Sequence, residues 1–270
     1  MKIVMGNIMA IYRKELQGYF QSPLAYAIAG VFWLIAGLFF TTILLGPEGV
    51  IAQAAALELQ GKQIGMTIPP LDVPYEFLKL FLGVLGQLSL FILPMLSMGL
   101  YSEERKLGTL ELLATSPITN WAVAVGKLLG VVTFYITMLL PLIACEAIAL
   151  SASNPPLPLT IPLLGHLGLI LMSAGVLSLG MFISSLTDST ILSAIITFVL
   201  VVILSIIDLV ANNIGGPIGA IMGHLSLLKH YTNMIRGVLD SSSLILFATY
   251  IIFGVFLTAQ TIETLRFQRA

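Results

Sequence analysis

Six long runs of apolar residues, separated by shorter polar segments, dominate the chain. They cover residues 24–45, 77–101, 122–150, 163–185, 190–210 and 244–262. A helix rises about 1.5 Å per residue, so about 20 apolar residues cross the roughly 30 Å hydrocarbon core of a bilayer. The pattern predicts an all-α membrane protein with six transmembrane helices in one domain, residues 1–270.

The segment before the first run has a different pattern, typical of an amphipathic helix over residues 5–21. Its apolar face comprises Ile8, Tyr12, Leu16 and Tyr19, and its polar face comprises Asn7, Lys14, Gln17 and Gln21. A helix with two such faces lies in the membrane interface rather than across it. The alternative is a helix packed on a soluble partner. Ser22-Pro23 then supplies an N-cap and a first-turn proline for the first span.

Two of the connecting segments carry further predictions. Residues 46–76 are mixed in polarity and predict a water-facing loop with one short helix near 50–60. Residues 211–243 contain glycines and Pro217, and their apolar part, 217–228, has only twelve residues. That length is too short to span a bilayer, so we predict an outer re-entrant segment there. Pro94 lies inside the second span and predicts a kink there, because proline lacks a backbone donor.

Composition excludes several functional classes. Charged residues make up 9% and hydrophobic residues 58% of the chain, far from the balance of a soluble domain. The net charge of −1 argues against nucleic-acid binding, which is typical of strongly basic proteins. One cysteine and three scattered histidines predict neither an intrachain disulfide nor a metal site. Gly61-Lys62 and Gly126-Lys127 lack the rest of a phosphate-binding loop, so we expect no enzymatic activity and no cofactor on this chain.

The distribution of basic residues predicts the orientation. With the N-terminus inside, eight basic residues fall on the cytoplasmic side: Lys2, Arg13, Lys14, Arg105, Lys106, Lys127, Arg266 and Arg269. Four fall on the outer side: Lys62, Lys79, Lys229 and Arg236. This bias favours two cytoplasmic termini, because short cytoplasmic loops are enriched in lysine and arginine.

The most polar stretch is the inner loop at residues 102–121. It combines charged residues with leucines, and helical spacing over 103–113 places Leu107, Leu110 and either Leu113 or Ala114 on one face. Ser116-Pro117 predicts the start of the next helix. The alternative is a solvated loop that only contributes to the positive-inside bias.

Ionisable residues within or beside the spans are candidates for a transport role, because burying them is costly. Glu146 and Asp208 are candidate intramembrane acids, although a position near the interface also allows simple contact with water. In the re-entrant segment, His230 and Arg236 are candidates for an outer gate that stabilises a lid or meets anionic cargo. The alternative there is an ordinary surface hairpin.

Several segments together resemble the type-2 ABC transporter permeases, in particular their gliding-motility-type branch. The segments are Arg13-Lys14-Glu15-Leu16, Tyr19-Phe20, residues 22–26, residues 103–113, Ser116-Pro117, Gly126-Lys127, Leu225-Ser226-Leu227, His230-Tyr231 and residues 236–240. The run from Glu103 to Glu111 is the most specific. Tyr231 and Leu239 are conservative departures from the family's usual phenylalanine and isoleucine.

The resemblance implies a bacterial inner-membrane exporter in which two six-span permeases, identical or paralogous, pair with two soluble ATPase subunits. ATP and Mg²⁺ would then be bound by the ATPase, and the inner loop would couple its motion to the spans. The coupling residues implied are Glu103, Glu104, Arg105, Leu107, Gly108, Thr109, Leu110 and Glu111. The rival hypotheses are an ATP-independent secondary transporter or channel that uses Glu146 and Asp208, and a membrane scaffold without transport activity.

Overall fold

The computed structural model describes residues 2–65, 69–110, 118–154 and 156–267, and within these ranges all regular structure is helical. The helices are α1 (Lys2–Gln21), α2 (Pro23–Leu45), α3 (Val50–Ile64), α4 (Val73–Ser97), α5 (Gly99–Lys106), α6 (Asn120–Ser151), α7 (Thr160–Leu186), α8 (Thr190–Ile214), α9 (Gly216–His224), α10 (Leu227–Ile235) and α11 (Ser241–Phe267).

Six stretches of the described chain are long and apolar enough to cross a membrane, which confirms the six predicted spans. They contain α2, α4, α6, α7, α8 and α11, and the short helix predicted after the first span is α3. The second span begins at Val73 rather than 77, because the Asp72 carboxylate accepts a hydrogen bond from the Tyr75 amide at 3.1 Å and Pro74 suits the first turn.

The long helices differ in how much they are enclosed. α7 is the most buried, between α4, α10 and α11, whereas α2 and α8 expose most of their apolar side chains. Leu34 and Leu38 on α2, and Ile191 and Ile195 on α8, are among the exposed residues. In a bilayer such surfaces face lipid or another apolar protein surface.

The N-terminal helix α1 packs lengthwise on α6. A Cβ atom at Gly126 would lie 2.9 Å from Ile11 Cβ, and one at Gly130 would lie 2.7 Å from Glu15 Cβ. Small residues at these positions therefore let the two helices approach closely. The location of α1 in the membrane interface stays a prediction, but its packing on α6 brings Glu15 beside the start of the third span.

The hydrogen-bond ladder of the second span is interrupted at Met98, between α4 and α5 and one turn after Pro94, while the backbone there stays helical at φ −58° and ψ −36°. The Ser184 hydroxyl from α7 inserts at this break. It accepts hydrogen bonds from the Tyr101 and Ser102 amides at 3.1 and 3.0 Å and donates to the Met98 carbonyl at 2.7 Å. A side chain inserted into the backbone ladder is a recognised cause of a helix break, and here it ties α5 to α7.

Pro141 lies inside α6 without ending it. Proline donates no backbone hydrogen bond, so the Thr137 carbonyl four residues earlier lacks its usual helical donor. The Trp33 indole of α2 donates to the nearby Met138 carbonyl at 2.7 Å. Trp33 of α2 therefore supplies a hydrogen-bond donor to the backbone of α6.

Residues 211–243 contain the end of α8 and the two short helices α9 and α10. Glycines at positive φ occur at both ends of this pair, at Gly215, Gly216 and Gly237. One face of α10 is buried, and its Tyr231 hydroxyl donates to the Leu82 carbonyl of α4 at 2.7 Å. The structure thus has broken helices where the glycines predict them, while a re-entrant position in the membrane stays a prediction.

The Ser184 bridge generates a stability prediction. Ser184→Ala removes three hydrogen bonds at a buried helix break and should lower the free energy of unfolding by about 1–3 kcal/mol. Ser185→Ala is the matched control, because that equally buried hydroxyl bonds only to the Phe182 carbonyl of its own helix. Thermal unfolding of both variants in detergent should show a clearly lower midpoint for Ser184→Ala alone. Equal midpoints for the two variants would show that the Ser184 hydrogen bonds do not stabilise this part of the fold.

Candidate functional site

A buried lysine joins three helices at one end of the bundle. The Lys127 ammonium of α6 donates to Glu15 of α1 at 2.8 Å, to Glu104 of α5 at 3.0 Å and to the Leu100 carbonyl of α5 at 2.8 Å. Its side chain is 3% exposed. An ammonium has three N–H donors, and all three are therefore satisfied. Lys127, Glu15, Glu104, Lys14 and Tyr101 are called the Lys127 cluster below.

The surroundings of this ammonium further stabilise its charge. Its nitrogen lies 4.9 Å from the centre of the Tyr101 ring, within the range of a cation–π interaction. Lys14 lies 3.7 Å from Glu104, but its side chain is 74% exposed, so water screens that pair strongly. The two short bonds from Lys127 to the carboxylates therefore dominate the electrostatics of the cluster.

On its other side, α5 is held by α7. The Arg105 guanidinium donates to the Ser185 carbonyl at 2.9 Å, near the end of α7. A cation at a helix C-terminus both satisfies a free carbonyl and interacts favourably with the helix dipole. Neighbouring charges of the inner loop thus bind different helices, Glu104 towards α6 and Arg105 towards α7.

The inner loop turns sharply where α5 ends. Gly108 has φ +71°, the Thr109 amide donates to the Glu104 carbonyl at 2.9 Å, and the Gly108 amide donates to the Arg105 carbonyl at 3.1 Å. This pair of bonds, around a left-handed glycine, is a Schellman motif. The prediction of one continuous helix over 103–113 is therefore wrong, because the helix ends at Lys106.

The predicted apolar face of that helix is wrong for the same reason. Leu107 is 74% exposed, whereas Leu110 is 7% exposed and belongs to the core. Gly108 has open space around the position of a Cβ atom, so what requires a glycine there is the positive φ of the turn. Glu111, Leu113, Ala114 and the predicted helix start at Ser116-Pro117 lie outside the described residues.

The structure brings together three segments that are far apart in the sequence: residues 13–16, 103–106 and 126–127. The sequence does not show that Lys127 joins these segments, because there it is only one of eight cytoplasmic basic residues and, with Gly126, part of the family resemblance and of an incomplete phosphate-binding motif. A lysine at the eighth position of a long apolar helix was the available signal. Tyr19 lies nearby and donates to the Leu96 carbonyl at 2.6 Å; burial, together with Glu15 and Glu103, raises the pKa of this hydroxyl.

The two candidate gate residues occupy different environments. His230 is 2% exposed, and its ring nitrogens bond to the Ser243 hydroxyl at 2.9 Å and to the His224 carbonyl at 3.1 Å. Burial lowers the pKa of His230, and the positive charge of Lys229 adds to the effect. Arg236 is exposed where α10 ends. The ring of His230 thus has a packing role in the structure, and a gating role for either residue stays a prediction.

The two candidate acids differ as well. Asp208 is half-buried and accepts a hydrogen bond from Ser226, the N-cap of α10, at 3.3 Å. Glu146 is 2% exposed, and its nearest basic group is His166 of α7 at 3.4 Å. Neither acid belongs to the Lys127 cluster. In the described part of the chain, no group of three potential ligands is placed to hold a metal ion.

The fold defines a multi-pass membrane protein with a charged cluster that ties its N-terminal helix and inner loop to the spans. Its sequence matches the family described as ABC-2 family transporter protein over residues 9–267, and the chain belongs to that family. It is therefore a permease component of an ABC transporter. Among curated proteins, no relative matches the chain.

The Lys127 cluster leads to a second stability prediction. Lys127→Met leaves two largely buried carboxylates without their shared cation and should lower the free energy of unfolding by about 3–5 kcal/mol. Hydrogen exchange of α1 should also rise, because its main polar tie to α6 is lost. Unfolding midpoints and exchange of purified protein measure both effects.

Lys62→Met is the matched control for this substitution. It breaks a 2.8 Å pair with Glu58 in which both side chains are 70% exposed, and it should change stability by less than about 1 kcal/mol. Adding Glu15→Gln and Glu104→Gln to Lys127→Met removes the unpaired charges and should restore part of the loss. Equal effects of Lys127→Met and Lys62→Met would contradict a special role for the cluster.

Proposed function

We propose that this chain is the membrane-spanning subunit of an ATP-driven exporter, of the gliding-motility-type branch that its motifs resemble. The observation that carries the proposal is the exposed turn at 107–109, which lies directly beside a rigid junction of α1, α5 and α6. A projecting apolar side chain on a tightly bonded turn is suited to docking in a cleft of a partner. A flexible solvated loop would need neither the Schellman motif nor the buried lysine.

The contacts of α5 suggest how a force applied at this turn would reach the spans. Glu104 links α5 to α6 and α1 through Lys127, and Arg105 links it to α7. At Met98 the hydrogen-bond ladder between α4 and α5 is interrupted, and Ser184 supplies bonds in its place, which makes this point suited to bending. Movement of α5 would then be passed to α1, α6 and α7, which changes access to a path between the spans.

The partner in this proposal is a soluble ATPase, present in two copies. ATP and Mg²⁺ would be bound there, because this sequence has no complete phosphate-binding loop. A second six-span permease, identical or paralogous, would cover part of the exposed apolar surface of α2 and α8, and lipid would cover the rest.

The rival function, ATP-independent transport through acids within the spans, has one observation in its favour. Glu146 is buried without a hydrogen-bonding partner in the described structure. The two functions differ in whether an ATPase co-purifies with the chain and whether its activity is needed for transport. Residue contacts favour the ATPase-coupled function, because the most extensive polar network lies at the turn and not at Glu146.

The orientation that this function requires has the turn and both termini in the cytoplasm of a bacterium, in its inner membrane. In a variant with Cys145→Ala, single cysteines at Gln60, Thr109 and Ser241, all exposed, report the two sides. In intact cells a membrane-impermeant thiol reagent should label positions 60 and 241 but not 109. After permeabilisation, 109 should also react. Labelling of position 109 alone in intact cells would show that the chain has the opposite orientation.

Leu107 gives the sharpest test of docking at the turn. Leu107→Asp leaves the fold intact, because the side chain is already 74% exposed, but it buries a charge if a partner covers it. We expect at least a roughly tenfold loss of ATPase recovered with the tagged permease, and a matching loss of transport. Co-purification from cells that contain the ATPase measures the effect.

Leu159→Asp is the control for this test, since Leu159 is 77% exposed in the loop between α6 and α7, away from the turn. Leu110→Asp and Glu104→Arg are unsuitable, because both residues stabilise the chain itself. If Leu107→Asp recovered a normal amount of ATPase, the turn at 107–109 would not be part of the interface with the ATPase.

A further inference from the structure

At the end of α6 and α7 opposite the Lys127 cluster, two buried polar side chains face each other. Glu146 of α6 and His166 of α7 have side chains 2% and 11% exposed, and Glu146 Oε1 lies 3.4 Å from His166 Nε2. Both carboxylate oxygens and Nε2 lack a hydrogen-bonding partner, since the two groups are close but not aligned for a bond. The described residues 152–154 and 156–159 lie between the two helices, just beyond this pair.

The other ring nitrogen determines where hydrogens can be. His166 Nδ1 lies 2.8 Å from the Pro162 carbonyl, which can only accept, so Nδ1 carries a hydrogen. Nε2 then has either a free lone pair or a second hydrogen. Without any further proton, a buried carboxylate faces that lone pair, and neither has a donor. Such an arrangement is strongly unfavourable in an apolar environment.

One additional proton resolves this conflict. On Glu146 it makes a carboxyl that donates to Nε2, and on Nε2 it makes an imidazolium that donates to the carboxylate. Both forms keep the pair neutral overall and form one charge-assisted or strong neutral hydrogen bond. The 3.4 Å separation needs to shorten by only a few tenths of an ångström to reach ordinary bonding distance.

In the described structure, the neighbouring polar groups are already bonded elsewhere and do not donate a hydrogen bond to Glu146 or to His166 Nε2. The titratable group that acts on Glu146 from α10 is Tyr231, and its hydroxyl is already bonded to the Leu82 carbonyl at 2.7 Å. Lys79 of α4 pairs with Glu76 of its own helix at 2.6 Å. His230 bonds to Ser243 and His224, and Tyr135 of α6 bonds to Ser89.

We propose that Glu146 and His166 form a proton-binding site whose single shared proton holds α6 and α7 together at this end of the bundle. Loss of the proton to water leaves a carboxylate opposite a lone pair, which favours separation of the two helices or entry of water between them. An exporter must open on the side away from its ATPase, so the site makes that opening sensitive to pH. The effect on opening rests on the proposed function, whereas proton binding by Glu146 and His166 does not require the ATPase partner.

Hydrogen exchange of the purified full chain in detergent, at pH 6 and pH 9.5 and corrected for intrinsic exchange rates, tests this site. The upper value lies well above the usual titration of histidine, because loss of the shared proton leaves unpartnered acceptors facing each other and is therefore opposed. In the unmodified protein, protection of residues 142–151 and 160–168 should fall roughly 10- to 100-fold at the higher pH, as expected for loss of a hydrogen bond to a charged group. Protection of α1 should not change with it.

Glu146→Gln removes the titrating carboxyl, while its amide can still donate to Nε2, so protection of both segments should be equal at the two pH values. Glu146→Leu serves the same comparison if the amide variant does not fold. Glu58→Gln, at an exposed carboxylate on α3, should keep the full pH dependence. The proposal is overturned if the unmodified protein shows no fall, if the Glu146 variant keeps it, or if Glu58→Gln also abolishes it.

Discussion

The buried ammonium of Lys127 is the interaction on which the arrangement of the inner end depends. A lysine that is 3% exposed must find acceptors for all three of its hydrogens, and no residue of α6 itself supplies them. The acceptors come from α1 and α5, so these helices cannot take other positions without leaving a charge unpaired. The need to satisfy one cation therefore positions both the N-terminal helix and the loop that is proposed to meet the ATPase.

The same requirement, that buried polar groups find partners, also ties the spans to one another. Side-chain donors from neighbouring helices reach four backbone carbonyls: Tyr19 to Leu96, Ser184 to Met98, Trp33 to Met138 and Tyr231 to Leu82. In lipid no water is available for such groups. Each bond therefore links one span to a specific neighbour, and the Ser184 bond does so where the ladder of the second span is interrupted.

Two polar sites lie at opposite ends of α6 and differ in whether opposite charges are bonded to each other. In the Lys127 cluster the ammonium has all three hydrogens bonded, although Glu104 Oε2 and the Tyr101 hydroxyl have no partner, and this suits a junction that passes on movement. Glu146 and His166 leave three atoms unpartnered, which suits a site whose state changes when a proton binds. α6 connects the two sites, so a tilt of this helix would affect both.

The sequence by itself determined the six spans and the broken segment at 211–243, because hydrophobic length and glycine placement are local properties. Its motifs also pointed to the ABC-2 family. It could not place the end of α5, since helical spacing continues through Gly108 and only the bonds of Thr109 and Gly108 show where the helix stops. Likewise, only the tertiary structure decided that Lys127 joins Glu15 and Glu104, and that Glu146 faces His166. These contacts depend on how helices pack side by side, and the order of residues in one helix does not specify which residues of another will lie against it.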